Sequence, residues 1–230
     1  MQPLPRLALA VSLALAPLCA NAAEDGFRPL FNGKDLTDWS GDTRFWSVKD
    51  GIIRGETSLT ALTLKNTFLI WKGGELKDFE LRLKFRIQNG NSGVQYRAKD
   101  KGKFVVTGYQ AEVENNQGKV GFLYDEGGRG YLANVGEKVE TSATGELKVV
   151  GALSSKEELI KKGYYKDKEW NEYRIVARGN RIEHHLNGFP TIELIDNDEG
   201  KRALAGVLAL QIHAGPPMLV EFKDILLKDL

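Results

Sequence analysis

Cysteine is almost absent from this chain of 230 residues, which also has only three histidines and two methionines. The single cysteine, Cys19, lies in the N-terminal apolar segment. Residues beyond that segment therefore have no disulfide, no cysteine-liganded zinc site and no cysteine nucleophile. Stability must come from an ordinary hydrophobic core, which a chain of this length can build.

An excess of charge of one sign is also lacking, because 32 lysines and arginines stand against 31 aspartates and glutamates. A balanced charge provides no attraction to nucleic acid or to an anionic membrane, so neither is expected as a partner. No GxxxxGK[ST] motif, no GxGxxG motif opening a helix and no GxSxG motif occurs, which disfavours nucleotide binding and serine-hydrolase chemistry. With 42% hydrophobic and 27% charged residues, the composition is that of a globular protein.

The longest apolar run, residues 7–18, follows a short segment with one positive charge at Arg6 and precedes Ala-Asn-Ala at 20–22. This order is typical of a secretory signal peptide. The run is too short to span a bilayer as a helix. We therefore expect 1–22 to be a cleaved signal peptide and 23–230 to be a single domain. The mature protein is expected to be periplasmic or secreted, without membrane insertion.

Alternation of apolar and polar residues with a period of two dominates the remaining sequence. In residues 79–87, the apolar side chains share one face and the charged ones share the other, as in a strand with one buried face. Residues 154–162 are predicted to form a helix, because Ser155 and Glu158 have the spacing of a capping box. The pattern predicts an all-β sandwich of two antiparallel sheets with one short surface helix.

Three predicted strands, 92–97, 107–114 and 207–213, carry mixed polar groups and small residues on the face opposite their apolar side chains. Small residues let a ligand approach the sheet, and mixed donors and acceptors suit sugar hydroxyls. The polar side chains are Gln95, Arg97, Gln110, Glu112, Glu114, Gln211 and His213. The pattern indicates a polar groove across one sheet, and an ordinary solvated face is equally compatible with it.

Glu112 and Glu114 are two residues apart on a predicted strand, so both side chains point to one face, about 6.5 Å apart. Paired carboxylates at such a separation can hydrolyse a glycosidic bond. The Glu-x-Asp-x-x-Glu pattern of β-sandwich glucanases is incomplete, because Gln117 occupies its last position. The two-carboxylate mechanism is therefore disfavoured, and an ion pair between Glu114 and a basic side chain is as compatible with the sequence.

The three histidines have different predicted surroundings. His184 shares the apolar face of its strand and is predicted to be a core histidine, whereas His185 points to solvent. His213 ends a strand next to a turn, which is a common position for a functional residue. No spacing typical of a zinc site or an EF-hand occurs, so no metal is expected, although calcium held by loop oxygens is compatible with the sequence.

Residues 124–130 combine three glycines with charged and aromatic side chains, among them Tyr124, Glu126 and Arg129. Such a segment could cover a bound sugar, or it could be an exposed turn. Trp39, Trp46 and Trp71 could stack on a sugar ring, but burial in the sandwich is the favoured interpretation for each of them.

Short phrases in a particular order extend along most of the chain. They are 30–39 (LFNGKDLTDW), 46–55 (WSVKDGIIRG), 91–97 (NSGVQYR), 108–112 (GYQAE), 123–130 (LYDEGGRG), 170–173 (WNEY), 186–188 (LNG), 210–217 (LQIHAGPP) and 220–224 (VEFKD). This ordered set resembles the 3-keto-disaccharide hydrolase family, formerly a domain of unknown function numbered 1080.

The resemblance implies a concanavalin A-like jelly roll and an exported bacterial protein that cleaves glycosidic bonds of sugars oxidised at C3. A ketone at C3 acidifies the C2 proton, so a base can remove it, the C1 substituent can leave, and water can then add. On this hypothesis His213 or Glu112 transfers the proton, and Arg97 stabilises the enolate or carbonyl. The residues that would bind substrate are Gln95, Gln110, Glu114, Tyr124, Glu126, Arg129 and Gln211.

The same hypothesis requires a separate sugar 3-dehydrogenase upstream as a pathway partner, and no organic cofactor in this protein. A non-catalytic carbohydrate-binding module on the same fold is the main alternative. A conventional glucanase that uses Glu112 and Glu114 is a weaker one.

Overall fold

The computed structural model describes residues 26–230, in which all seventeen strands belong to two sheets that pack against each other. The predicted signal peptide falls in residues 1–25, outside the described residues. Within 26–230, no helix has the length and apolar character needed to cross a membrane. Helix α1 (Lys156–Lys161) follows a capping box in which Ser155 and Glu158 each accept a backbone hydrogen bond from the other, as predicted.

The first sheet contains ten of the described strands. They are β1 (Arg28–Pro29), β3 (Trp46–Lys49), β4 (Ile52–Glu56), β6 (Phe79–Asn89), β11 (Glu137–Thr141), β12 (Leu147–Ala152), β13 (Asn171–Arg178), β14 (Arg181–Leu186), β15 (Phe189–Ile195) and β17 (Leu219–Asp229). Their order is β12-β11-β15-β14-β13-β6-β17-β4-β3, with β1 paired to β17. Neighbouring strands are antiparallel apart from β11 and β15, which run parallel.

The second sheet contains seven of the described strands. They are β2 (Trp39–Ser40), β5 (Thr67–Trp71), β7 (Asn91–Asp100), β8 (Val106–Glu114), β9 (Leu123–Glu126), β10 (Gly130–Ala133) and β16 (Val207–Ile212). Their order is β10-β9-β8-β7-β16-β5-β2. The three strands whose polar faces the sequence singles out, β7, β8 and β16, are therefore near one another in one sheet.

The main core consists of the inward faces of both sheets. The alternation predicted for β6 is confirmed, because its apolar residues are at most 1% exposed: Phe79, Leu81, Leu83, Phe85 and Ile87. Trp39, Trp46 and Trp71 are also buried, in agreement with the favoured interpretation of them. His184 is buried among core aromatic rings, where the pKa of its imidazole falls to about 3 because of burial, so it is a neutral core residue.

Part of the outer face of the second sheet is also covered. The segment between β7 and β8 returns over β5, where the backbone N–H of Phe68 donates to the carbonyl of Phe104 at 2.9 Å. A small second core forms on this face from Phe68, Ile70, Ala98, Val106 and Ala209. The covering leaves the β8 and β9 side of the sheet accessible, and the clefts of this face lie there.

Candidate functional site

A cleft of about 260 Å³ lies on the outer face of the second sheet. Gln110 and Glu112 of β8 contribute to its lining, because residues two apart on a strand point to the same side. Tyr124 of β9 is paired opposite Gln110, and His213 follows the end of β16. The structure thus brings Glu112 and His213, the two predicted proton-transfer residues, to one cleft.

Aromatic rings form one wall of this cleft. The ring centroids of Phe122, Tyr124 and Tyr131 lie 4.9 to 6.4 Å apart, and Tyr131 is 61% exposed. An accessible aromatic face beside polar groups is a typical platform for a sugar ring. The sequence analysis did not identify Phe122 or Tyr131, although Phe122 and Tyr124 alternate in the manner of neighbouring residues on one strand face.

Glu112 is 2% exposed and occupies the most perturbed environment in the cleft. Its carboxyl group lies 2.7 Å from the side-chain amide of Gln110 and also contacts the amide of Asn91. Burial raises the pKa of Glu112 to about 8, and the charges of Glu114 and Glu126 add to the effect, while the two amide contacts oppose it. A carboxyl group with a pKa near neutrality is suited to proton transfer.

His213 is exposed at the edge of the cleft, and its orientation is set by the loop that follows it. Its Nδ1 lies 2.6 Å from the carbonyl oxygen of Ala214, so Nδ1 must carry the hydrogen and donate it. In the neutral imidazole, Nε2 is then the basic nitrogen. Asn66 fixes this loop, since it accepts from the N–H of Ala214 at 3.0 Å and donates to Glu126 at 2.9 Å.

Gln95 and Gln211 lie behind the cleft and do not line it, which differs from the predicted contact with substrate. Both are fully buried, and both contact the side chain of Gln110. Gly93 makes this packing possible, because a Cβ at that position would lie 2.5 Å from the Gln110 side chain. The two glutamines therefore support Gln110 rather than face the cleft.

Arg97 lies apart from Glu112, so the prediction that they share one hollow is wrong. Its guanidinium donates to Asp78 at 2.9 Å and to two backbone carbonyls at 2.6 and 2.7 Å. Alternation fails at this point because the pairing of β7 with β8 shifts register between Gln95 and Lys99, and Arg97 has a φ of 46°. A register shift of this kind turns the local side chains in a new direction.

The segment predicted to cover a bound sugar is a β-hairpin made of β9 and β10. Gly127, with a φ of 66°, lies in its turn, and Tyr124 and Glu126 line the cleft from β9. Arg129 does not line this cleft, because its guanidinium contacts three carboxylates in a largely buried network. The hairpin therefore forms a wall of the cleft and does not cover it.

Glu114 lies one step beyond Glu112 on the same face of β8. It is half-buried, with its carboxylate 3.9 Å from Nζ of Lys119. This contact matches the ion pair that the sequence analysis gave as the alternative to a catalytic pair. Among residues 26–230, no group of three or more histidine, cysteine, aspartate or glutamate side chains is arranged to hold a metal ion.

A second cleft, of about 630 Å³, adjoins the first along β8. Glu126 belongs to the lining of both, and Gly108, which is paired with Glu126, leaves the floor of the second cleft without a side chain. Lys99 and Lys201 contribute to its walls, and the predicted site residues Arg97 and Arg129 also belong to its lining. The two clefts together can accommodate a ligand longer than one sugar ring, because Glu112 and Gly108 are about 13 Å apart along the strand.

Solved structures share this architecture. A candidate glycosyl hydrolase from Parabacteroides distasonis is 22% identical with a TM-score of 0.57, over 89% of this chain and 99% of that one. A Bacillus subtilis protein of unknown function with a galectin-like fold is 11% identical with a TM-score of 0.58, over 88% of this chain and 94% of that one. The carbohydrate-binding module CBM66 from Bacillus subtilis is 14% identical with a TM-score of 0.54, over 84% of this chain and 96% of that one. These similarities show the jelly-roll fold.

Family membership rests on a match that extends over almost all of the described residues. No curated protein matches the chain. The family model described as a 3-keto-alpha-glucoside-1,2-lyase-like domain matches residues 26–228, including both clefts and every residue of the predicted site. The chain therefore belongs to the 3-keto-alpha-glucoside-1,2-lyase-like family, which agrees with the resemblance found in its sequence.

Proposed function

We propose that this protein is an exported enzyme that cleaves the glycosidic bond of sugars carrying a ketone at C3. The observation that carries the proposal is the presence of Glu112 and His213 in one cleft, next to an aromatic wall. Family membership favours this substrate class. The proposal needs one proton donor and one proton acceptor at the cleft, and two groups of the required chemistry are there.

The chemistry follows from the acidity of the C2 proton beside a ketone. A base in the cleft removes this proton, the electron pair of the C–H bond forms an enolate, and the C1–oxygen bond then breaks. Addition of water to the resulting double bond gives the free sugar. A sugar 3-dehydrogenase must oxidise the substrate beforehand, since no step of this mechanism creates the ketone.

The two clefts suggest which part of the substrate binds in each of them. The oxidised ring would stack on Tyr131 in the smaller cleft, beside Glu112 and His213. The group that leaves from C1 would extend along β8 into the larger cleft past Gly108. Mixed charged and backbone groups line that cleft, which suits a hydroxylated leaving group such as a second sugar.

The decisive experiment incubates the purified mature protein with a 3-keto disaccharide and, separately, with the same disaccharide unoxidised. We expect free sugar from the keto form alone, with incorporation of solvent deuterium at C2. Release from both substrates would indicate a conventional glucanase. Binding of either sugar without any turnover would indicate a carbohydrate-binding module, the alternative favoured by the exposed aromatic wall.

The role of the aromatic wall is tested by Tyr131→Ala. We expect this change to weaken binding of the keto sugar about two- to tenfold, because stacking of an aromatic ring contributes about 0.5–1.5 kcal/mol. Isothermal titration calorimetry measures the change in affinity. Tyr131→Phe keeps the ring and is the matched control, with affinity close to that of the unmodified protein. Equal affinity of both variants would exclude stacking on Tyr131.

A further inference from the structure

Gln95, Gln110 and Gln211 form a buried amide cluster behind Glu112. An amide oxygen and an amide nitrogen are nearly the same size, so the positions of the side-chain atoms are compatible with two directions of hydrogen bonding. In the first direction, Gln95 and Gln211 donate to Oε1 of Gln110 at 2.5 and 2.9 Å, and Gln110 donates to Glu112 at 2.7 Å. This direction suits an ionised Glu112, which can only accept.

The first direction leaves a conflict at Gln95. Its Oε1 then lies 3.2 Å from the carbonyl oxygen of Tyr109 and 3.3 Å from that of Gly108. Neither oxygen can donate a hydrogen, and Gln95 is fully buried. A buried polar atom that faces only atoms of its own kind is unfavourable, because it has lost water and gained no partner.

In the second direction, the amide of Gln95 is turned and donates to both carbonyls. Its Oε1 then lies 2.5 Å from Gln110 and must accept from the Gln110 amide nitrogen. The oxygen of Gln110 is thereby turned toward Glu112, with 2.7 Å between the two oxygens. A hydrogen must lie between them, and the carboxyl group of Glu112 has to supply it.

The remaining contacts are compatible with this second direction. Gln110 has two amide hydrogens, so it can donate to Gln211 as well as to Gln95. Gln211 keeps one buried amide atom without a partner in either direction and does not discriminate between them. Asn91 contacts the other oxygen of Glu112, which accepts in both cases.

We propose that Glu112 is a neutral carboxylic acid in the resting protein, held so by the direction of the amide cluster, and that it donates the proton in the reaction while His213 is the base. The assignment of these two roles rests on the proposed function. The protonation of Glu112 rests on the geometry of the amide cluster and does not depend on the proposed function.

The proton balance of this assignment is complete. Nε2 of His213 takes the C2 proton, and the oxygen that leaves C1 takes the proton of Glu112 as the C1–oxygen bond breaks. Glu112 is then a carboxylate and can take a proton from the water that attacks C1. The imidazolium of His213, which is exposed and exchanges its proton with solvent, protonates C2, and both groups regain their initial states.

The negative charges of Glu114 from β8 and Glu126 from β9 favour the neutral form of Glu112. The other titratable groups around it are Tyr124 from β9, Tyr131 from β10 and His213 after β16, which line the same cleft, and Tyr173 of β13, whose hydroxyl donates to the backbone carbonyl of Glu112. The described residues that line the smaller cleft include no lysine or arginine. Burial, together with the two nearby carboxylates, accounts for the pKa of about 8.

Carboxyl ¹³C NMR of the full chain labelled at glutamate tests the protonation directly. The Glu112 signal is identified by its loss in Glu112→Gln. We expect a protonated carboxyl group at pH 6 and a titration midpoint at or above about 8, against an ordinary value of 4.5, because the value of about 8 includes a donation from Gln110 that the second direction removes. A Glu112 signal that is already that of a carboxylate at pH 6 would overturn the proposal, whatever the protein does to sugars.

Gln95→Met tests whether the amide cluster sets this state. Without the amide at Gln95, Gln110 is free to donate to Glu112, and we expect the midpoint to fall by about one unit, which is tenfold in the acid constant. Gln117→Met, at an exposed position, is the matched control and should leave the midpoint unchanged. An unchanged midpoint in Gln95→Met would show that the cluster has no such influence. If Gln95→Met does not fold, the titration of the unmodified chain still decides the protonation.

The pH profile of turnover separates the two roles. If Glu112 is the acid, kcat/KM for a 3-keto disaccharide falls as the pH rises through the midpoint measured by NMR. If Glu112 is the base, kcat/KM rises through the same midpoint, and the role assignment is wrong. A chain with the expected NMR midpoint and no turnover would contradict the proposed function and leave the protonation of Glu112 established.

Discussion

Glu112→Gln is expected to lower turnover of a 3-keto glycoside by 10²- to 10⁴-fold, about the contribution of one general acid or base, while making the fold more stable at neutral pH. Glutamine has the shape of a protonated glutamate. Its amide nitrogen can donate to Gln110 and its oxygen can accept from Asn91, so the network around the position is preserved. The variant lacks only the transferable proton.

The gain in stability follows from the raised pKa of Glu112. The pKa is about 8 in the folded protein and has an ordinary value of 4.5. Between these values the folded protein binds a proton that the unfolded chain has released, so the free energy of unfolding falls as the pH rises. At pH 7 the loss is up to about 3 kcal/mol, and Glu112→Gln avoids it because glutamine does not titrate.

Urea unfolding at pH 5, 7 and 8 measures this effect. We expect the difference between Glu112→Gln and the unmodified protein to grow with pH across this range. Glu146→Gln is the matched control, since it makes the same change at an exposed position that does not line the cleft, and its stability difference should not grow in this way. A Glu112→Gln variant that is less stable at pH 7 would mean that an ionised Glu112 is the form that the fold accommodates.

The second large effect is expected for Arg129→Met. The guanidinium of Arg129 lies 2.9 Å from Asp125, 2.7 Å from Asp196 and 3.6 Å from Asp198, and its side chain is 9% exposed. Burial raises the pKa of Asp196, but hydrogen bonds from Arg129 and Tyr109 outweigh burial and hold the pKa below its usual value. The three carboxylates therefore share Arg129 as the counter-ion that balances their negative charge.

Removing that cation leaves buried negative charges without a counter-ion, and breaking a buried ion pair in this way costs about 3–5 kcal/mol. For a domain of this size the corresponding decrease in Tm is about 10 °C. Calorimetry measures it, with Arg44→Met as the control. Arg44 also pairs with an aspartate, Asp42, but its side chain is 76% exposed, so its loss should change stability far less than the loss of Arg129.

Arg129→Met also separates a structural role from the predicted contact with substrate. A structural role predicts the decrease in Tm with little change in KM for a 3-keto disaccharide at a temperature where the variant is folded. An unchanged Tm together with a large increase in KM would restore the prediction that Arg129 contacts the substrate.

The sequence alone was sufficient to predict the features that depend on residues close together in the chain. Alternation fixed the buried face of β6 and the shared face of Gln110 and Glu112, because successive side chains of a strand point to opposite sides. The capping box at Ser155 predicted the start of α1, because its partners are three residues apart. The order of the short sequence segments was sufficient to identify the family.

Tertiary structure decided which of the polar side chains meet. Arg97 does not line the cleft of Glu112, because a register shift depends on the neighbouring strand, which one strand's own pattern does not encode. Tyr131, Asn66 and Asn91 also line the cleft of Glu112, although they are distant from it in the sequence and lie outside β8. The environment of Glu112 could not be predicted from the sequence either, because burial and the direction of an amide cluster arise only when three strands pack side by side.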